Sequence, residues 1–309
     1  MKVWAPYASL DEALTRLGPL PAGIDLDVVG DDHVPATGAD TVALLAVPNY
    51  SAKQVLALAF ARPLPGLRWV QLASAGYEHV LDVIPDSIGI CNAAGVHDAG
   101  TSELAVALAL AALRRLDTYA LDKAAGRFAP VYSDSLADKR VLIVGYGRIG
   151  SAVERRLAGF EVASVTRVAR TPRSDPAVHA VADLPELVGA ADVIFLCLPG
   201  SPATRHIVDA GLLARMHDGT LLVNVGRGVL VDTAALLAEN GRIRAALDVT
   251  DPEPLPDGHP LWTADFVTWA PHVGGLSRAF EPRYDALLRA QLARFVDAQP
   301  LLNIVRSPR

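Results

Sequence analysis

Cysteine is scarce in this chain: Cys91 and Cys197 are the only two among 309 residues. Each sits in an apolar run, SIGICNAA and VIFLCLPG, and reads as a small buried strand residue rather than half of a disulfide. An excess of positive charge is missing too. The net charge is −6 and the pI near 5.7, without the basic stripe that draws nucleic acid. Long hydrophobic runs are absent: LAVALALAALRRL falls short of the roughly 20 residues of a membrane span, and MKVWAPYASLDEAL has no apolar signal-peptide core. No ligand spacing suits a metal. The expectation is a cytoplasmic protein with no metal and with neither nucleic acid nor membrane as a partner.

What the chain has is apolar residues, 51% of the total, over a length that suits two globular domains. Short apolar strands alternate with helical segments: MKVWAPY, then SLDEALTRL with Ser9 as N-cap and Glu12 completing a capping box, then DLDVVG, TVALLAVPN, RWVQLASAG and SIGICNAAG. This alternation predicts an α/β fold with a doubly wound parallel sheet. From Gly100 a single long helix is predicted over TSELAVALALAALRRLDTYALDKAAG, apolar on too broad a face for a surface helix and so buried between domains or across a dimer. A second α/β series starts at Lys139. The closing helix, DALLRAQLARFVDAQ, is expected to return to the first domain, with LLNIVRSPR as a tail.

Gly145, Gly147 and Gly150 form G-x-G-x-x-G directly after the strand RVLIV and open a helix. The first permits a tight turn, the second lets the backbone approach a pyrophosphate, and the third allows close helix–strand packing. The helix amino terminus then meets the phosphates. NAD sites carry an acid about 20 residues on, at the end of the second strand. Here Val168 stands in that place, with Arg167, Arg170 and Arg173 around it. Arginines pair with a 2′-phosphate that a carboxylate would repel, which favours NADP(H) over NAD(H). A solvated basic loop is the alternative.

The stretch from Leu221 to Gly275 carries the chemistry. LLVNVGRGVLVD is read as a strand ending on Arg227, AALDV places Asp248 at its end with Glu253 five residues on, and FVTWA delivers His272 into Gly274-Gly275. A permanent cation, a carboxylate and an imidazole at the carboxyl ends of neighbouring strands can clamp an anionic substrate and pass it a proton. Glu253 would fix the His272 tautomer and raise its pKa. His259, in a Pro-rich turn, is the rival imidazole. The other six histidines, His33, His79, His97, His179, His206 and His217, read as structural.

At these residues the chain resembles the D-2-hydroxyacid dehydrogenase family. SAGYEHV, VLIVGYGRIG, LCLPGSPATRHIV, LLVNVGRGVLVD, ALDVTDPEPLPDGHPLW and APHVGG occur in the family's order and span nearly the whole chain. The resemblance implies two doubly wound, Rossmann-like domains with the active site in the cleft between them, usually as a homodimer. The substrate-binding domain would be residues 1–97 plus 276–309, and the dinucleotide-binding domain residues 98–275. It implies that Arg227 holds the substrate's carboxylate and keto oxygen, that His272 protonates that oxygen, and that Glu253 is its partner. Ala75 and Gly76 would bind the carboxylate through their N–H groups. Asp248 and Val225 would meet the nicotinamide, with His272 and Gly274 counted beside them. Arg148 and Ile149 would sit on the pyrophosphate, and Pro199 and Thr204 beside the adenosine half.

ARTPR is similar to the strand end of NADP-preferring glyoxylate/hydroxypyruvate reductases. Ala270 and Phe128 depart from the family's usual threonine and tryptophan, near the cleft and the dimer arm. The expectation is NADPH-dependent reduction of small 2-keto acids to D-2-hydroxy acids. The alternatives are an NAD-dependent D-2-hydroxyacid dehydrogenase, a dinucleotide sensor without turnover, or a dehydrogenase of another anion such as formate.

Overall fold

A computed structural model describes residues 1–309. It comprises two compact units, one of residues 1–97 with 278–309 and the other of residues 98–277.

In the first unit the elements alternate as β1 (Lys2–Ala5), α1 (Leu10–Leu17), β2 (Asp25–Val28), β3 (Val42–Ala46), α2 (Ala52–Phe60), β4 (Trp69–Gln71) and β5 (Gly89–Cys91). A closing helix, Phe280–Val296, and a terminal strand, Ile304–Arg306, complete it. The sheet order is terminal strand, β5, β4, β3, β1, β2, with β1 to β5 parallel. Ser9 caps α1 by accepting from the Glu12 N–H, and the Glu12 carboxylate reaches back to the Ala8 N–H at 2.9 Å. One face of the sheet packs against α1 and the closing helix through Leu17, Leu288 and Leu292. The other buries Val55 and Leu56 of α2 against Leu45 and Val70. The expected tail is in fact a strand, antiparallel to β5. Gln291 of the closing helix anchors it, accepting the Leu302 N–H at 2.8 Å.

The second unit opens with α3 (Asp98–Leu113) and α4 (Leu116–Ala124). The sheet series follows: β6 (Arg140–Val144), α5 (Arg148–Leu157), β7 (Ser164–Ala169), β8 (Arg173–Ser174), β9 (Ala177–Ala180), α6 (Leu184–Leu187), β10 (Val193–Leu196), α7 (Ala210–Leu213), β11 (Leu221–Asn224), α8 (Thr233–Ala238), β12 (Arg244–Leu247) and β13 (Val267–Trp269). The strand order is β13, β12, β11, β10, β6, β7, β9, β8, all parallel except the β8–β9 hairpin. The central strands are buried on both faces, so their sequences run apolar without alternation, as in RVLIV and VIFL.

Two expectations change here. The single helix from Gly100 is two, because Arg115 takes a left-handed conformation at φ 57° and breaks the run between α3 and α4. The broad apolar face of α3 is explained within its own unit, where Ala105, Ala109 and Leu113 share a core with Val153 and Leu157 of α5 and Val223 of β11. No helix is long and apolar enough to cross a membrane.

Candidate active site

The strand order of the second unit reverses at β6, which has β7 on one side and β10 on the other. Such switch points open a crevice at the carboxyl ends of the strands. Gly145 follows β6 at φ 103°, and a Cβ there would lie 2.6 Å from the Cys197 carbonyl carbon, so only glycine fits. Gly147 faces open space, with nothing within 4 Å of where its Cβ would be. The Arg148 and Ile149 N–H groups, first in the ten-residue α5, have no acceptor in the protein. An open cradle rimmed by free N–H groups at the positive end of a helix fits a pyrophosphate. The Arg148 side chain is itself paired with Asp98 at 2.8 Å. After β10, the Thr204 hydroxyl donates to the Pro199 carbonyl at 2.8 Å, and buried Val225 donates its N–H to Leu196.

The three arginines expected around a 2′-phosphate differ in their surroundings. Val168 is fully buried in β7, and the Arg167 guanidinium beside it is forked onto Glu154 of α5. Arg170 is exposed and has no hydrogen bond or ion pair. The strand expected to run through ARTPR ends at Ala169, and Arg173 lies in a separate short strand, β8, where it donates to the Tyr146 carbonyl at 3.0 Å.

Arg227, Asp248 and His272 follow the neighbouring parallel strands β11, β12 and β13. The strand expected to end on Arg227 ends three residues earlier, at Asn224. Buried Asn224 staples the turn that follows, accepting the Gly226 N–H at 3.0 Å and donating to the Arg227 carbonyl at 2.9 Å. That staple, unread in the sequence, sets where Arg227 leaves the sheet. Glu253 Oε1 lies 2.5 Å from His272 Nδ1, which leaves Nε2 for another partner. Their side chains keep 40% and 48% of their surfaces open, enough for a ligand to reach them.

Electrostatics couple these groups. The hydrogen bond to Glu253 raises the His272 pKa above its ordinary value. Burial and the Arg227 charge oppose that rise, while the Glu253 and Asp248 charges support it. Burial pushes the Glu253 carboxyl up, but its bond to His272 and the His272 and Arg227 charges outweigh this and leave it below the usual range. The site thus holds an imidazole biased toward its cationic form.

Asp248 is 2% exposed, and burial raises its pKa. Its two carboxylate oxygens accept the Val273 and Gly274 N–H groups at 2.7 and 2.9 Å, and its carbonyl accepts the His272 N–H at 2.7 Å. His272 is held at φ 52°, a left-handed conformation uncommon outside glycine. Asp248 is the brace that holds it there, a role beyond the one expected. Beside the pair lies a cavity of about 270 Å³ walled by Leu255, Trp262 and Trp269, the two indoles packed edge to face. The rival His259 caps the short turn Pro260–Trp262, its Nδ1 accepting the Leu261 N–H at 3.2 Å.

Gly228 ties the Arg227 turn to the Glu253 loop. A Cβ there would lie 1.8 Å from the Thr250 carbonyl oxygen, so backbone must move. Gly228→Ala is expected to destabilise the protein by about 3 kcal/mol, lowering the thermal midpoint by roughly 6–12 °C, which calorimetry reads directly.

In the first unit, Ala75 and Gly76 follow β4. Their N–H groups donate to no protein acceptor, while the Asn92 side chain holds the Ala75 carbonyl at 2.6 Å and the Ser74 hydroxyl holds that of Gly76 at 2.7 Å. Two fixed, free donors of this kind suit an anion.

Residues 106–274 match the NAD binding domain of D-isomer specific 2-hydroxyacid dehydrogenases. The chain belongs to this family. As a D-isomer specific 2-hydroxyacid dehydrogenase it is an oxidoreductase that uses NAD(P). It is 31% identical to the human glyoxylate reductase/hydroxypyruvate reductase over 248 residues, 76% of each chain. Among solved structures it resembles an NADPH-dependent glyoxylate/hydroxypyruvate reductase from Sinorhizobium meliloti in complex with NADP and malonate. That match has a TM-score of 0.76 at 27% identity and covers 100% of this chain and 98% of that one. A family member from Xanthobacter autotrophicus in complex with NADPH and MES matches with a TM-score of 0.77 at 26% identity, over 99% and 98% of the two chains. This dehydrogenase has its glycine turn after β6 and Arg227, Asp248 and His272 beyond the ends of β11, β12 and β13, all in one sheet.

Proposed function

We propose that the protein reduces small 2-keto acids of the glyoxylate/hydroxypyruvate type to D-2-hydroxy acids, with NADPH preferred over NADH. The observation that carries this reading is the His272–Glu253 pair, biased toward imidazolium, at the same sheet edge as Arg227 and in the same unit as the glycine turn. When bound, a reduced nicotinamide would supply the hydride for the keto carbon. The residues proposed to hold the cofactor are the glycine turn with Arg148 and Ile149, and Asp248. His272 Nε2 gives its proton to the keto oxygen, and Glu253 holds the ring in the required tautomer. Arg227 offsets the charge that develops on that oxygen, an effect realised most strongly in the transition state. Asp248 keeps the His272 turn in place and is proposed to meet the nicotinamide, with Val225 and Gly274 beside it. Ala75 and Gly76 are proposed as carboxylate-binding groups of the first unit. Pro199 and Thr204 are proposed to lie along the adenosine half.

The NADPH preference is supported by Val168 in place of an acid and by exposed, unpaired Arg170. The relatives whose names include NADPH-dependent glyoxylate/hydroxypyruvate reduction support it further. A homodimer is proposed as well, because Leu116, Leu121, Phe128 and Tyr132 leave large apolar surfaces exposed on α4 and the segment after it. The indole-walled cavity favours one second reading of the substrate, a keto acid with an apolar side chain.

The test is oxidation of NADPH and of NADH by purified protein with glyoxylate, hydroxypyruvate and phenylpyruvate. At least tenfold higher kcat/KM with NADPH and the two small acids is expected. A preference for NADH would overturn the cofactor assignment alone, and a preference for phenylpyruvate would establish the second substrate reading. No oxidation with any of the three would point to a sensor.

A further inference from the structure

Tyr146 stands between Gly145 and Gly147 in the glycine turn, and its ring is shared by two arginines. The Arg167 guanidinium carbon lies 5.5 Å from the ring centroid and that of Arg173 5.3 Å. Both are within the range at which a cation is attracted to an aromatic face. Each contact has a second fastening. Arg167 Nε donates to Glu154 Oε2 at 2.8 Å, its Nη2 donates to Glu154 Oε1, and Arg173 Nη2 donates to the Tyr146 carbonyl at 3.0 Å.

These contacts bracket a short piece of chain. Arg167 is in β7, which ends at Ala169, and Arg173 opens β8. Only Arg170, Thr171 and Pro172 lie between the two strands, and all three are exposed. Both ends of this connection are therefore pinned to one aromatic ring, which belongs to the turn that fits a pyrophosphate. Arg170, the arginine with no partner, is displayed from the middle. Arg167 is placed differently: its fork is filled by a carboxylate that cancels its charge. An arginine so committed has to break two charge-assisted bonds before it can take a phosphate.

We propose that Tyr146 is the positioning residue of the cofactor's 2′-phosphate site. Its ring fixes the Arg170–Pro172 connection relative to the glycine turn, so that Arg170 and the remaining donors of Arg173 meet the phosphate, while Arg167 serves as a strut held by Glu154. This rests on the NADPH preference proposed above. It adds that discrimination depends on a side chain that carries no charge and on the Arg167–Glu154 ion pair, whose net charge is zero.

The adenosine end isolates the question from catalysis. Calorimetric titration with adenosine 2′,5′-bisphosphate and with AMP gives a discrimination ratio for each variant. Tyr146→Leu is expected to lower that ratio about tenfold, the size of a lost, partly desolvated cation–π pair of contacts. Tyr146→Phe keeps the ring and should restore the ratio to within about twofold, which loss of fold would not do. Arg170→Ala should lower it at least as far as Tyr146→Leu.

An unchanged or raised ratio in Tyr146→Leu, with Arg170→Ala still losing discrimination, would overturn the positioning role and leave the NADPH reading standing. An equal fall in affinity for both ligands in Tyr146→Leu would also overturn it, because that marks support of the turn alone. Absence of discrimination in the unaltered protein would overturn both.

Discussion

Replacing His272 with alanine is expected to cut the turnover of 2-keto acids by about a thousandfold, in the middle of the range for losing a general acid. Dinucleotide binding, followed by nicotinamide fluorescence, should persist, because the glycine turn and α5 are untouched. A variant that keeps more than about a tenth of the activity would remove His272 from the mechanism. The pH profile tests the same assignment more finely. Reduction needs the imidazolium, so kcat/KM should fall as pH rises through the His272 pKa, which Glu253 holds above the ordinary histidine value. In Glu253→Gln that support is lost and the falling limb should move to lower pH. The variant's deficit should then be larger at pH 8 than at pH 6. A limb that stays in place would mean that another group donates the proton.

Much of this site was legible from the residues. Gly145, Gly147 and Gly150 follow an apolar strand at fixed spacing, and the physics of a phosphate turn leaves few other uses for such a pattern. Arg227, Glu253 and His272 stood out because each follows a short apolar run, and in a parallel sheet the ends of such runs converge on one edge. What stayed hidden depends on contacts across the fold. The Asp248 brace needs the ends of β12 and β13 side by side before its carboxylate can meet two N–H groups. The Asn224 staple is local, yet one asparagine inside VNVG carries no periodic signal.

The two-residue strand β8 was too short to show an alternating pattern, so the hairpin that returns Arg173 to Tyr146 could not be read. Arg167 was read together with Arg170 and Arg173 by its place along the strand, and its pairing with Glu154 could not be seen there. Its partner Glu154 comes from the helix packed over it, a neighbour that sequence order hides. The helix break at Arg115 likewise left no glycine or proline as a mark.

Arg227 offers the second large effect, and its consequences separate charge from shape. Arg227→Lys keeps the cation but loses the planar fork that can bind a carboxylate and a carbonyl oxygen together. A drop of about a thousandfold in kcat/KM is expected, shared between kcat and KM because the fork is proposed to serve both binding and oxyanion stabilisation. A rise in KM with kcat intact would confine Arg227 to binding. The charge can be read separately through His272. Arg227 lowers the pKa values of both His272 and Glu253, so removing its charge should let that of His272 rise. In Arg227→Gln the falling limb of the residual activity should therefore move to higher pH, opposite in direction to Glu253→Gln, whereas Arg227→Lys should leave it near its original position. Opposite shifts from two substitutions flanking one imidazole would tie all three side chains to a single titration. A common direction would mean that the limb reports some group other than His272.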